Sequence, residues 1–349
     1  MSAYQLGIIE GFYGRQWSWE DRCDMAAFLA GAGYSHYLYA PKGDTSLRAR
    51  WREPFNALES LSALAAECRT QGLKFGVGLS PMGLQMGYTK ADRQVLLDRL
   101  RELDATGLEV LWILFDDMRG DRSELAANQC AVMADVRQAF SGELAVCPSY
   151  YSFDPVLDEV FGQRPQHYLQ DLAAGLDDSV GILWTGNQVI NQTITAQDCL
   201  QFTRLTGRKA LLWDNYPVND GRKTSPYLNL NAFTGRQPEL AEFAAGHFAN
   251  PMNQPNLSKI PLRTLPPLFQ GYTDADALRA QSLSLLPEAL ASLLARDWEI
   301  FQRRGLDGLG QAEKASLEAD YTALDHPAAD EVCDWLNGGY TFDPECLTG

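Results

Sequence analysis

The residues best suited to chemistry are Asp116 and Asp117, adjacent carboxylates at the end of the apolar run Val110-Leu-Trp-Ile-Leu-Phe115. Six consecutive apolar residues read as a strand buried on both faces, the pattern of a parallel sheet. Unpaired carboxylates are costly to bury, so a doublet where a core strand ends needs a chemical reason. Three reasons fit these residue types. The pair can hold a divalent cation through oxygen ligands. It can cap the next helix, although Ser123 and Glu124 are better placed for that. Or it can run the acid–base chemistry of a hydrolase, in which two close like charges drive the two acid strengths apart.

A doublet works only if other groups meet it, so the elements that carry the chain past it matter next. Strands are predicted at Gln5 to Glu10, His36 to Ala40, Phe75 to Leu79, Val110 to Phe115, Leu144 to Cys147, Gly181 to Trp184 and Ala210 to Trp213, with a weak one at Gly246 to Ala249. Helical patterns lie between them. Four begin with a capping side chain and an acid three residues on: Ser18 with Asp21, Asn56 with Glu59, Thr89 with Asp92, and Thr195 with Asp198. Gly33, Gly72 and Gly107 follow helical runs where a left-handed C-cap is expected. Eight strands alternating with helices over about 250 residues match an α/β fold of the (β/α)8 TIM-barrel type. A doubly wound sheet would carry a Gly-rich phosphate loop after its first strand, and Gly11-Phe-Tyr-Gly14 is not one.

The pattern changes after Asn250. Residues 250–256 are rich in Pro and Asn, and Ile260 to Leu268 is expected to be the last barrel helix despite Pro261, Pro266 and Pro267. Thr273-Asp-Ala-Asp276 then caps a helical tract reaching about Arg304, interrupted near Pro287, and Ala312 to Leu324 and Ala328 to Leu336 follow. The chain thus divides into a barrel over residues 1–270 and an all-α region over residues 271–349. That region is expected to pack on the barrel or on a second copy, as a homodimer, and the last residues are expected to be poorly ordered.

Active sites of such barrels form at the C-terminal ends of the strands. There the sequence places Gly11 and Tyr13; Lys42, Asp44, Trp51 and Arg52; Asp116 and Asp117; Tyr150 and Tyr151; Thr185 and Asn187; Asp214, Asn215, Tyr216, Asn219 and Asp220; and Asn250. Strand three, ending in Ser80-Pro-Met82, is the least informative. Carboxylates, amides, a lysine and aromatic rings on one face suit a sugar, whose hydroxyls take paired donors and acceptors while its apolar face packs on a ring. A phosphate site would need nest-forming glycines and several cations, and only Lys42 and Arg52 are near. A metal site would need further oxygen ligands, which Asp214 or Asp220 can supply. Each of these residues also has an ordinary structural reading: Tyr13, Trp184 and Trp213 as packing, Cys147 as a buried thiol, Asn215 and Asn250 as loop ties.

Composition narrows the partners. The chain has 349 residues, 29 Lys plus Arg against 45 Asp plus Glu, and a net charge of −16. That excess of acid argues against nucleic acid or an anionic membrane as partner. No stretch approaches the ~20 apolar residues that span a bilayer. The N-terminus lacks the basic-then-apolar pattern of a secretory signal, so a cytoplasmic protein is expected. The 7 cysteines are scattered without a Cys-x-x-Cys pair and the 4 histidines show no metal-ligand spacing, so no metal and no cofactor is expected.

Seven ordered motifs carry a resemblance: Glu10-Gly-Phe-Tyr-Gly14, Tyr37-Leu-Tyr-Ala-Pro-Lys42, Leu114-Phe-Asp-Asp117, Cys147-Pro-Ser-Tyr-Tyr151, Leu183-Trp-Thr-Gly186, Trp213-Asp-Asn215 and Asn250-Pro251. Over residues 5–252 the chain resembles glycoside hydrolase family 84, the O-GlcNAcases and related bacterial β-N-acetylglucosaminidases. The resemblance implies a retaining exo-hydrolase in which the 2-acetamido oxygen of the substrate attacks the anomeric carbon and an oxazoline forms. This is an exception to the two-carboxylate nucleophile scheme. It implies that Asp116 accepts the acetamido N–H and stabilises the charge developing there. It implies that Asp117 is general acid and then general base, its proton affinity raised by the neighbouring Asp116 charge and by partial burial. By matched position, Tyr151 would bond the acetamido oxygen and Cys147 would line the acetyl pocket. Gly11, Lys42 and Asn215 would hold the sugar on its 3-hydroxyl side and near the acetamido group. Asp220 would take the 4- and 6-hydroxyls beside Asn250, and Trp213 would form a wall. Gly43, Asn187 and Gln188 depart from the family pattern and bear on the aglycone side. A metal-dependent hydrolase with Asp116 and Asp117 as ligands, and a sugar-binding barrel without turnover, remain as rival readings.

Overall fold

The computed structural model describes residues 4–339 and 343–348. Each predicted apolar run is a strand: β1 (Gln5–Glu10), β2 (His36–Tyr39), β3 (Lys74–Leu79), β4 (Val110–Leu114), β5 (Glu143–Cys147), β6 (Gly181–Trp184), β7 (Ala210–Asp214) and β8 (Gly246–Ala249). They pair in parallel in chain order, and β1 joins β8 with Gln5 opposite Gly246 and Ile8 opposite Ala249, closing a barrel. Parallel strands wrapped by helices have no wet face, which is why β2, β4, β7 and β8 are buried at every position. The interior is filled rather than open. Trp112 of β4 meets Phe248 of β8 edge-on at 4.6 Å, a contact that strands on opposite sides of the barrel make only through its centre. Room for Phe248 comes from Gly7, where a Cβ would lie 2.5 Å from the ring.

Helices between the strands form the outer layer: α1 (Trp19–Ala32), α2 (Leu58–Thr70), α3 (Lys90–Asp104), α4 (Leu125–Ala139), α5 (Val156–Phe161), α6 (Tyr168–Gly175), α7 (Ala196–Thr206) and α8 (Leu240–Phe243). Capping boxes form at Ser18, Thr89 and Thr195, and Gly33, Gly72 and Gly107 take φ of 95°, 79° and 80°. Asn56 does not cap. Helix α2 starts one residue later, at an N-cap Ala57 with no side-chain bond. Helix α4 likewise starts at Glu124 without a side-chain cap.

The expected last barrel helix is two helices, α9 (Pro255–Leu262) and α10 (Leu265–Phe269). Proline is tolerated in a first turn, and Pro255 and Pro266 lie in the first turns of the two segments, while Pro261 lies inside α9. Beyond them lie α11 (Ala275–Leu283), capped by Asp274 rather than Thr273, then α12 (Glu288–Glu299), α13 (Gln311–Thr322) and α14 (Pro327–Leu336). These helices pack on the barrel. Leu290, Leu294, Phe301, Tyr321 and Trp335 share a second apolar core with Leu228, Leu230, Met252 and Leu257. No described helix is long and apolar enough to cross a membrane.

One polar contact fastens that core. The Glu331 carboxylate on α14 accepts the Asn256 and Leu257 backbone N–H groups at 2.9 and 2.8 Å, and the Asn256 side-chain amide at 2.8 Å. It thereby serves the donors of the first turn of α9 that the helix itself leaves unmade. Burial pushes the Glu331 carboxyl up to about 7. A raised acid stabilises the fold below its unfolded value of about 4.3, and that share is lost as pH climbs through 7. Glu331→Ala should therefore lower the unfolding free energy by about 1–3 kcal/mol at pH 5. Denaturant melts should show a smaller loss at pH 8; a penalty that grows with pH would contradict this account.

Candidate active site

The C-terminal ends of the strands bring the ten sequence-predicted residues to one pocket of about 460 Å³: Gly11, Lys42, Asp116, Asp117, Cys147, Tyr151, Trp213, Asn215, Asp220 and Asn250.

Asp116 and Asp117 emerge just past β4 and diverge at once. Asp116 is buried and ion-paired with the Lys42 ammonium, which itself arrives just past β2. Its other oxygen, Oδ1, is buried without a hydrogen-bond partner. The mutual repulsion expected within the doublet is thus offset by Lys42. Asp117 takes φ of 54°, a left-handed conformation uncommon outside glycine. Arg48 secures that turn by donating from Nη2 to the Asp117 carbonyl at 3.2 Å. The Asp117 carboxylate accepts two phenols, Tyr13 at Oδ2 (2.9 Å) and Tyr151 at Oδ1 (2.8 Å).

The opposite wall comes from β1, β7 and β8. Trp213 lies so close across Gly11 that a Cβ there would sit 2.2 Å from its ring, so only glycine fits. Trp213 Nε1 donates to Asn215 Oδ1 at 3.0 Å, and Asn250 Nδ2 donates to the same oxygen at 3.0 Å. Asn250 Oδ1 in turn accepts the Gly11 N–H at 3.1 Å. Asn215 and Asn250 therefore tie three strand ends together, and they line the pocket as well. Asp220 accepts the Tyr13 N–H at 2.7 Å, and burial pushes its carboxyl up to about 6. The Cys147 thiol is raised well above its ordinary range by burial and then by the Asp116 charge, which keeps it a neutral packing group.

Of the other strand-end residues weighed at the sequence level, Thr185 also lines the pocket, while Asp44, Trp51, Arg52, Tyr150, Asn187, Asp214, Tyr216 and Asn219 do not. Asp214 ends β7, where Arg236 grips it at 2.7 and 2.6 Å and His247 at 2.9 Å. Burial alone would raise this carboxyl, but the Arg236 and His247 contacts hold it at about 2. Arg52 turns away to Asp92 at 2.9 Å. Among the described residues no group of three or more His, Cys, Asp or Glu is arranged to hold a metal ion.

Arg48, Cys346 and Thr348 escaped the sequence reading, while Tyr13 was placed at the first strand end with packing as its alternative reading. Arg48 gave no signal. Cys346 and Thr348 belong to the tail expected to be poorly ordered, yet both line the pocket, with Thr348 Oγ1 3.5 Å from the Tyr151 hydroxyl. No periodicity marks such a segment, because only tertiary contact places it.

Known proteins resemble this chain. A family described as beta-N-acetylglucosaminidase (NAGidase) matches residues 6–284. Protein O-GlcNAcase from Rattus norvegicus and from Mus musculus are each 29% identical over 276 residues, covering 75% of this chain and 29% of the relative. The chain thus matches less than a third of the length of these relatives. A mutant O-GlcNAc hydrolase from Thermobaculum terrenum superposes with a TM-score of 0.77 at 27% identity, covering 96% of this chain and 81% of that one. CpGH84B, at 21% identity with a TM-score of 0.75 over 96% of this chain and 66% of its own, shares the fold. The matched residues take in all eight strands and every pocket residue except those of the tail, and on that ground the chain belongs to the beta-N-acetylglucosaminidase family, glycoside hydrolase family 84.

Proposed function

We propose that this chain is a retaining exo-β-N-acetylglucosaminidase that removes terminal β-linked N-acetylglucosamine from a glycoprotein or oligosaccharide, the substrate's own acetamide acting as nucleophile. The observation that carries this reading is the asymmetry of the doublet. Asp116 is held by Lys42 and keeps one buried oxygen unpartnered, which suits an acceptor for an amide N–H. Accepting that N–H aligns the acetamido oxygen on the anomeric carbon and stabilises positive charge as the oxazoline closes. Asp117, on the adjacent backbone turn, gives a proton to the leaving oxygen and then takes one from the water that opens the oxazoline. Tyr151 donates to the acetamido oxygen, and Cys147 borders the acetyl methyl. Trp213 walls the sugar ring, with Gly11, Lys42 and Asn215 toward its 3-hydroxyl. Asp220, near Asn250, takes the 4- and 6-hydroxyls. No step calls for a metal.

Asp117→Asn should cost about 10²–10⁴-fold in kcat/KM on N-acetylglucosaminides with poor leaving groups. The loss should be far smaller on activated aryl N-acetylglucosaminides, whose leaving oxygen needs no proton. Greater leaving-group sensitivity in Asp116→Asn would reverse the two roles. Loss of turnover on chelation, restored by a divalent cation, would replace the whole reading with the metal-dependent one.

Asp220 gives a second expectation. Its carboxyl titrates at about 6, and hydroxyl donors bind the ionised form. KM should therefore rise roughly tenfold from pH 7 to pH 5, and Asp220→Asn should flatten that limb while raising KM throughout. A KM profile unchanged by the substitution would remove Asp220 from sugar binding.

A further inference from the structure

The Tyr151 phenol has one hydrogen and two claims on it. It donates to Asp117 Oδ1 at 2.8 Å, whereas the proposed function needs it on the acetamido oxygen of the ligand. The ring cannot follow both. Tyr151 is 4% exposed, and its own carbonyl accepts the Thr185 N–H at 2.9 Å, which fixes the backbone at the end of β5. Only the O–H has to turn. Tyr13 donates to Asp117 Oδ2 at 2.9 Å, and the proposed function gives its phenol no second acceptor, so that contact stays.

We propose that the Tyr151 hydroxyl serves two acceptors in turn, passing from Asp117 to the ligand's acetamido oxygen, so that recognition of the N-acetyl group releases the general acid to take up its proton. The inference rests on the proposed function. A carboxylate that accepts two phenols is favoured in its ionised form, and removing one donor favours the protonated form. Asp116, Asp220 and the Cys147 thiol stand around Asp117, with Arg48 and Lys42 as the cations. These stay in place, and the Tyr151 contact is the one exchanged. The proton comes from the buffer and sits on the Asp117 oxygen that Tyr151 leaves, ready for the leaving group. A ligand lacking the acetamide leaves the contact closed and Asp117 ionised.

The test is calorimetric titration of the full chain near pH 6.5, in two buffers of different ionisation heat, with phenyl 1-thio-N-acetyl-β-glucosaminide, whose sulfur link resists cleavage. The unaltered chain should take up more proton per bound ligand than Asp117→Asn, a subtraction that cancels any proton exchange at Asp220. The excess should vanish in Tyr151→Phe and persist in Tyr13→Phe. Proton uptake per bound ligand by the unaltered chain should also be smaller with phenyl 1-thio-β-glucoside, which replaces the acetamide with a hydroxyl, a comparison that needs no variant. Binding without excess uptake, or an excess that survives in Tyr151→Phe, overturns the switch alone. Absence of binding by the N-acetyl ligand overturns the proposed function and the switch with it.

Discussion

A buried ion pair between Lys42 and Asp116 makes the rest of the pocket possible. Two adjacent carboxylates at the mouth of a closed barrel would repel each other and resist burial. The Lys42 ammonium, delivered from a strand end two places away in the barrel order, compensates one of them. The same contact fixes the Asp116 side chain, leaving its second oxygen buried and without a partner. Asp117 is freed by this arrangement to be governed by different neighbours, namely the phenols of Tyr13 and Tyr151 and the guanidinium of Arg48.

Rigidity on the other side of the pocket comes from shared amides. One oxygen of Asn215 binds both the Trp213 indole and the Asn250 amide, and Asn250 reaches on to the Gly11 backbone. The network joins the ends of β1, β7 and β8, where the barrel closes. A structural tie and a ligand contact are therefore not competing descriptions of these asparagines. A side chain whose geometry is locked by framework bonds presents its remaining N–H in a preorganised direction.

The C-terminal helices are part of this economy of position. Their core is shared with barrel residues, and Glu331 supplies a helix-start acceptor that α9 lacks on its own. Arg15, just beyond β1, donates to Asp334 at 2.5 Å and to the Gly339 carbonyl at 2.8 Å, so the helical region is also tethered near the pocket mouth. Past that tether the tail brings Cys346 and Thr348 to the pocket lining.

The sequence by itself determined the eight strands, the barrel and the doublet as the chemical focus. Those features rest on local patterns: apolar runs of strand length, capping pairs, and polar residues that follow each run. It also marked eight of the ten pocket residues, because strand ends in this fold converge whatever their spacing in the chain, while Cys147 and Trp213 were marked by the family resemblance alone. Tertiary structure decided how charge is shared among them. Asp116 and Asp117 look alike in sequence, and only the arrival of Lys42 at one and of two phenols at the other makes them different. Asp214, an equal candidate by position, is withdrawn by Arg236 from a loop 22 residues on. Arg48 and the tail reach the site through long-range packing, which leaves no periodic trace in the sequence that produces it.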